Sequence, residues 1–429
     1  MRLGRPTLAS LLTCGFVILG LLWVGFLGFR QIGGVGSIID GFENLTVDWR
    51  YSIAGPRPVP PGVVIVAIDD ETVREAGAYP LPRSALARIV RALARFDPRA
   101  IAIDIAFLDA GPPGADAELA EALRSTKSVI AAIGLFEHDG ANDEPRQSDD
   151  LALIPSPSSI LWPTVEIRGA ARAGLVNVAT DASGIPRHIP MIYRTGDTVV
   201  PSFALAAASA ALNAEPVFGP DGLRLAARTV GMDLGYHLPI RFYGPGGSIK
   251  RVSAARILRD ELAPEDVRGQ VVVIGATALG VGDTFATPFD RIVPGVEIFA
   301  TAVANLLAGD GLVRTALVRK FDAGAAVLLP CAAVLLMAMR RPFAGLGLAA
   351  LVFVLWAVLA FVAFLEGYWV SLAVPLAALA PVAAAYGVAR LALDRYATAR
   401  LTADKAALTR FQSPVLLEHI LGTPGFLET

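Results

Sequence analysis

The chain has 429 residues, 54% of them hydrophobic and only 18% charged, with a mean hydropathy of +0.56; soluble globular chains carry about 25% charge, so a purely soluble protein is excluded. Residues 31–320 hold 27 basic and 33 acidic residues, a net of −6, against +4 for the remainder, and this balance excludes a basic surface for nucleic acid. The two cysteines, Cys14 and Cys331, lie in apolar runs and the four histidines lack metal-type spacing, so disulfide, thiol and zinc chemistry are not expected.

Residues 8–29 are apolar and uncharged for about 22 positions, enough to cross a hydrocarbon core. A cleavable signal would have an apolar core of about 7 to 15 residues and an A-x-A site, so an uncleaved anchor is expected. Residues 33–52 read as an outward continuation of that helix, ended by the Pro-rich GPRPVPPG at 55–62. Then comes an α/β pattern: strand VVIVAI at 63–68, helix RSALARIVRALARF at 83–96, strand AIAIDI at 100–105, a helix at 115–125 and a strand at 128–133. Strand, helix, strand is the signature of a parallel crossover unit. Residues 137–150 read as a polar loop. GLVNVA (174–179), the turn DASG (181–184) and HIPMIYR (188–194) predict an antiparallel hairpin. A small-residue helix at 201–212, a second hairpin region at 223–242, strand VVVIGA at 271–276 and a helix at 295–309 complete the domain. The expected fold class is an α/β extracytoplasmic domain, a mixed sheet covered by helices, plus four transmembrane α-helices.

Three further apolar runs, 321–339, 343–365 and 369–389, are separated by MRRPF and EGYW. Basic residues cluster before the first run (Arg2, Arg5), between the second and third (Arg340, Arg341) and after the fourth (Arg390, Arg395, Arg400, Lys405, Arg410). The excess of Lys and Arg in short cytoplasmic segments therefore puts both termini of a multi-pass membrane protein in the cytoplasm and residues 31–320 outside. Arg314, Arg319 and Lys320 oppose this, but they belong to a loop too long for the rule. Asp322 and Glu366 sit at span ends and no charge lies mid-membrane, which disfavours a pump or channel.

Carboxylates follow the strands: Asp69 and Asp70 after the first, Asp104 at the end of the second, Asp283 in the loop after 271–276. Ligands of open α/β sheets bind beyond the carboxyl ends of the strands, so these acids and Arg83 could meet in one crevice; alternatively, Asp70 and Asp104 cap turns or pair structurally with Arg83. GATALGVG (275–282) lacks both phosphate-loop patterns and reads as a turn.

Three blocks, VVIVAIDDETVREAGAYPLPRSALARIVRALARFDPRAIAIDIAF, GLVNVATDASGIPRHIP and VVVIGATALGVGDTFATPFDRIVPGVEIFATAVANLL, resemble in order the CHASE type-two domain, an extracytoplasmic sensor of bacterial receptors. The resemblance covers approximately residues 42–313. It implies an anchor and N-terminus at 1–30, a sensor at 31–317, three membrane helices at 318–390 and a cytoplasmic linker at 391–429. Among positions matching the family's patterned residues, Asp70, Arg83, Asp104, Asp181, Arg187, Asp283 and Thr287 are the candidate ligand-binding set. Leu81 departs from the aromatic the family often carries between Pro80 and Pro82. The tail ALTRFQSPVLLEHIL (407–421) resembles the linker entering class III adenylate cyclases. Mg and ATP would belong to such a cyclase domain, which lies outside these residues, so no cofactor and no cyclic AMP synthesis are expected of the chain itself. Leu401, Leu408 and Val415, with Ala397 and Phe411 between them, have the spacing of a short coiled-coil seam, and a homodimer is expected. The expected partners are the lipid bilayer and an unknown extracytoplasmic small-molecule or protein ligand. A free-standing membrane binding protein regulating a separate partner, or a receptor kinase, are the alternatives.

Overall fold

The β-branched runs form strands β1 (Val63–Ile68), β2 (Ala100–Ile103), β3 (Ser128–Leu135), β4 (Ser159–Leu161), β5 (Arg172–Leu175), β6 (Arg251–Ser253) and β7 (Val271–Ala276) of one seven-stranded sheet. This computed structural model describes residues 8–34, 38–136, 153–219, 222–337 and 342–411. The strand order is β6-β1-β7-β2-β3, with β3 pairing both β5 and β4; every pairing is parallel except β3 with β4.

Alternation along the strands divides the core. Val63, Ile65, Val271 and Val273 pack on one face with the helices Phe203–Leu212 and Gly295–Ala308. Val64, Val66, Val272 and Ile274 pack on the other with Arg83–Ala94 and Ala115–Arg124. Both faces are covered, which is why these strands read as continuous apolar runs rather than alternating ones. Ser202 caps Phe203–Leu212 through its side chain, which accepts a hydrogen bond from the Leu205 amide at 3.2 Å. That helix crosses β5 so closely that a Cβ on Gly174 would lie 2.6 Å from the Phe203 Cα.

Two expected elements differ. The first helix does not run through to residue 52: Leu8–Gly33 ends before Gly34, at φ 66°, and a second helix covers Ile38–Ala54. A left-handed glycine after a helix terminates it. The hairpin expected across 174–194 is also absent. Leu175 is used by β5 beside β3, His188–Pro190 pairs antiparallel with His237–Pro239, and Ile192–Thr195 pairs with Thr198–Pro201. The polar loop expected at 137–150 lies outside the described residues.

Arg30–Asp322 and Trp356–Ala373 make one compact unit, which contains the sheet; the described residues of Met1–Phe29, Ala323–Leu355 and Val374–Thr429 make another. In the second unit the Trp23 indole donates to the Ala377 carbonyl at 3.1 Å. A Cβ on Gly20 would meet Val382 at 2.8 Å, and one on Gly28 would meet Ala323 at 3.5 Å. Small residues of this kind allow close helix approach where no hydrophobic effect drives association.

Of the four spans expected, two helices are long and apolar enough to cross a membrane among the described residues, Ala316–Met337 and Ala344–Leu365. Ile18–Gly33 and Ala373–Ala389 are shorter apolar stretches. Both stretches lie inside longer helices, Leu8–Gly33 of 26 residues and Ala373–Phe411 of 39 residues.

Candidate functional site

At the carboxyl ends of β2 and β7 lies a cavity of about 280 Å³, lined by Tyr79, Asp104, Ala276, Asp283, Val296 and Phe299 among others. Asp104 follows β2, with its amide donating to the Ile274 carbonyl at 2.8 Å. Burial, reinforced by the nearby Asp283 charge, pushes its carboxyl up to about 7. Gly295 opens the helix Gly295–Ala308 at the cavity wall, its amide donating to the Asp283 carbonyl at 2.8 Å. Gly275 has no room for a side chain, because a Cβ there would meet Val296 at 2.7 Å.

A second cavity, of about 320 Å³, is built by segments that adjoin the apolar helices in sequence. Its wall includes Glu43, Asp181, Arg187, His188, Arg314 and Trp369. Arg187 forms a fork on Asp48, at 2.8 and 2.9 Å, and its Nε donates to Asp181 at 2.6 Å. Asp181 in turn accepts from the Ser183 and Ile185 amides and from Asn44. The turn DASG therefore serves to aim one carboxylate at Arg187.

Glu43 is 2% exposed and gathers donors from distant parts of the chain. It accepts from Arg50 at 2.8 Å, the Trp369 indole at 3.0 Å, the Ser371 hydroxyl at 2.8 Å and the amides of Leu372 and Ala373 at 2.9 Å. Burial alone would raise its pKa, but Arg50, Arg314 and these donors outweigh that and hold it below the usual carboxylate range. The two amides open the last helix, Ala373–Phe411, so a carboxylate at its first turn also meets the positive end of the helix dipole.

Asp233 is the other buried acid. Arg319 grips it with two hydrogen bonds of 2.7 Å, and His188 Nε2 lies 3.3 Å away. Burial opposes its ionisation, yet His188 and Arg319 keep it well below the ordinary value. His188 stacks on Trp369 at 5.2 Å, and the Arg314 guanidinium lies 4.4 Å from the same ring. Burial, with Asp233 opposing and Arg314 and Arg319 adding to it, lowers the His188 pKa, so the imidazole is neutral at pH 7.

The seven sequence candidates divide between these places. Asp104 and Asp283 line the sheet-edge cavity, and Asp181 and Arg187 line the second. Arg83 turns away from Asp104: it pairs with Asp116, donates to the Asp109 carbonyl and covers Phe107 at 5.5 Å. Exposed Asp70 accepts from the Leu279 amide at 3.2 Å, and its neighbour Asp69, not Asp70, caps the helix Asp70–Ala76. The single crevice of Asp70, Arg83, Asp104 and Asp283 thus reduces to Asp104 with Asp283. Thr287 ties its own turn, accepting from the Phe289 and Asp290 amides. Leu81 is buried in the core beneath Arg83–Ala94. Glu43, Asp233, Arg314 and Trp369 were not singled out from the sequence. Their signal was present only as charges and an aromatic beside apolar runs; of Arg314 and Arg319, expected as loop residues, the first is buried and the second half-buried in the unit that holds the sheet.

A mostly parallel sheet covered on both faces makes an α/β domain, in a chain that has two helices long and apolar enough to cross a membrane among its described residues. The CHASE2 domain matches residues 17–339, about three quarters of the chain, so the chain belongs to the CHASE2 family, an extracytoplasmic sensor domain of signalling receptors. Comparison with curated proteins and comparison with solved structures each find no significant match.

Proposed function

We propose that the chain is the sensing and membrane part of a receptor that reports an extracytoplasmic stimulus to a class III adenylate cyclase output in the cytoplasm. The observation that carries the reading is the Glu43 junction. One carboxylate, on the helix that follows the first apolar helix, holds the loop 369–371 and the first amides of the helix Ala373–Phe411. That helix continues unbroken for 39 residues, from an apolar stretch into the charged run ending at Phe411. A change in the sensor unit that loosens Glu43 therefore acts directly on the start of the element leading to the tail.

The same unit supports a four-span topology. It contains Arg30 and Gln31 at the end of the first apolar helix, Ala316–Asp322 at the start of the second, Leu365 at the end of the third and Ala373 at the start of the last. The break EGYW is hydrogen-bonded into it: Val313 N–H donates to Gly367 O at 2.7 Å and Trp369 N–H to Val313 O at 3.0 Å. Pairing of two chains through Leu401 and Leu408 would align two catalytic domains. Leu401 is 61% exposed, the Leu408 and Phe411 side chains and Val415 lie outside the described residues, and a disulfide yield through Leu401→Cys no higher than through Thr402→Cys removes this seam.

The test is a fusion of the chain to a class III cyclase catalytic domain in cells lacking their own cyclase. Glu43→Gln should shift cyclic AMP at least threefold at matched membrane levels, and the exposed Glu265→Gln should not. Equal cyclic AMP in all three chains overturns the reading.

A further inference from the structure

The two cavities differ in how their charges are matched. In the sheet-edge cavity two carboxylates face each other, and protonation of Asp104 relieves the excess. In the second cavity the acids are engaged: Asp181 by Arg187, Asn44 and two amides, Glu43 by Arg50 and four further donors. Among the described residues His188 Nε2 has no hydrogen bond, and Arg314 is a cation left short of one. Its side chain is 7% exposed, and its Nε is sealed from solvent with no hydrogen-bond partner. Among the described residues the guanidinium meets the Trp369 ring and, at 3.9 Å, Asp233 Oδ2, beyond hydrogen-bond length and already held by Arg319.

A guanidinium whose Nε loses water without gaining a hydrogen bond is costly to keep buried. It is retained at the wall of a cavity of about 320 Å³, the lower end of the size range of small-molecule sites. The planar fork of arginine matches two oxygens of a carboxylate or phosphate. Arg319 and His188 stand on the same wall, and both lie beside Asp233.

We infer that this cavity is the binding site for a small soluble oxyanion, a carboxylate- or phosphate-bearing solute, with Arg314 as its principal cation and Trp369 as the floor on which that cation rests. As the stimulus of the receptor proposed above it rests on that reading, because Trp369 and Arg314 both adjoin Glu43 and an anion drawing on Arg314 competes with Glu43 for the same positive charge. Binding itself is read on the chain alone, without any cyclase, so the two ideas fail separately.

The experiment is thermal unfolding of the full chain in a maltoside detergent at constant ionic strength, titrated with inorganic phosphate, with acetate and with uncharged glycerol. Phosphate or acetate should raise the wild-type midpoint saturably by several degrees and glycerol should not. Arg314→Met should abolish the rise. Arg314→Lys, which keeps the charge and loses the fork, should need at least tenfold more anion, and it decides the matter if Arg314→Met does not fold. The exposed Arg95→Met should respond as wild type. No saturable rise with either anion, an equal rise in Arg314→Met, or stabilisation only in phosphatidylglycerol nanodiscs would overturn the site.

Discussion

Asp104 and Glu43 are carboxylates set into the same unit, and their neighbours push them in opposite directions. Asp104 gains no cation in the fold; burial and Asp283 raise it to about 7. A group whose folded pKa lies above its unfolded one binds more protons when folded. Its contribution is therefore full below about pH 4 and is lost as pH rises to about 7. Asp104→Asn keeps the shape and removes the titration, and each pKa unit corresponds to about 1.4 kcal/mol. The wild-type melting temperature should fall relative to that of Asp104→Asn by several degrees between pH 4.5 and 8, and parallel curves would show that Asp104 does not titrate there. Glu43 has the opposite sign: its contribution stands above its unfolded pKa and is lost only as pH falls through the lowered folded value. The two residues can thus be separated by the pH at which each matters. The sequence displayed both, but Asp104 stood in a strand-end pattern while Glu43 lay in a stretch with no pattern beyond helix.

Elements were legible where burial imposes a period. β1 and β2 are uniformly buried and β7 is buried up to Ala276, and their apolar runs announced both the strands and the covering helices. The segment 174–194 was misread because its alternation is shared among partners far apart in sequence: β3 for Leu175, His237–Pro239 for His188–Pro190, and Thr198–Pro201 for Ile192–Thr195. Period 2 reports a strand but not its neighbour. Gly174 marks the consequence, since β5 can lie under Phe203–Leu212 only without a Cβ at that position. Gly174→Ala must move backbone rather than a flexible side chain, and it is expected to cost about 1–3 kcal/mol. Chemical or thermal unfolding measures this, and Gly41→Ala, with open space at its Cβ, should be close to neutral or stabilising by comparison. A loss at Gly174 no larger than at Gly41 would mean the close approach is absent.

At the scale of the whole molecule, reporter fusions read the membrane topology. A phosphatase fusion after Gly247 should be active and one after Arg400 inactive, and the reverse pattern would reject both termini as cytoplasmic. Composition, apolar periodicity and three ordered motif blocks were enough, on the sequence alone, to determine an α/β CHASE2 domain carried with apolar helices, because core burial and span length are properties of neighbouring residues. Only the tertiary structure decided that Arg83 pairs with Asp116 rather than Asp104, that Glu43 holds residues 369–373, and that Arg314 Nε has no hydrogen-bond partner among the described residues. Glu43 and Ala373 are 330 positions apart, and a charge finds such a partner through the fold and not through any local pattern.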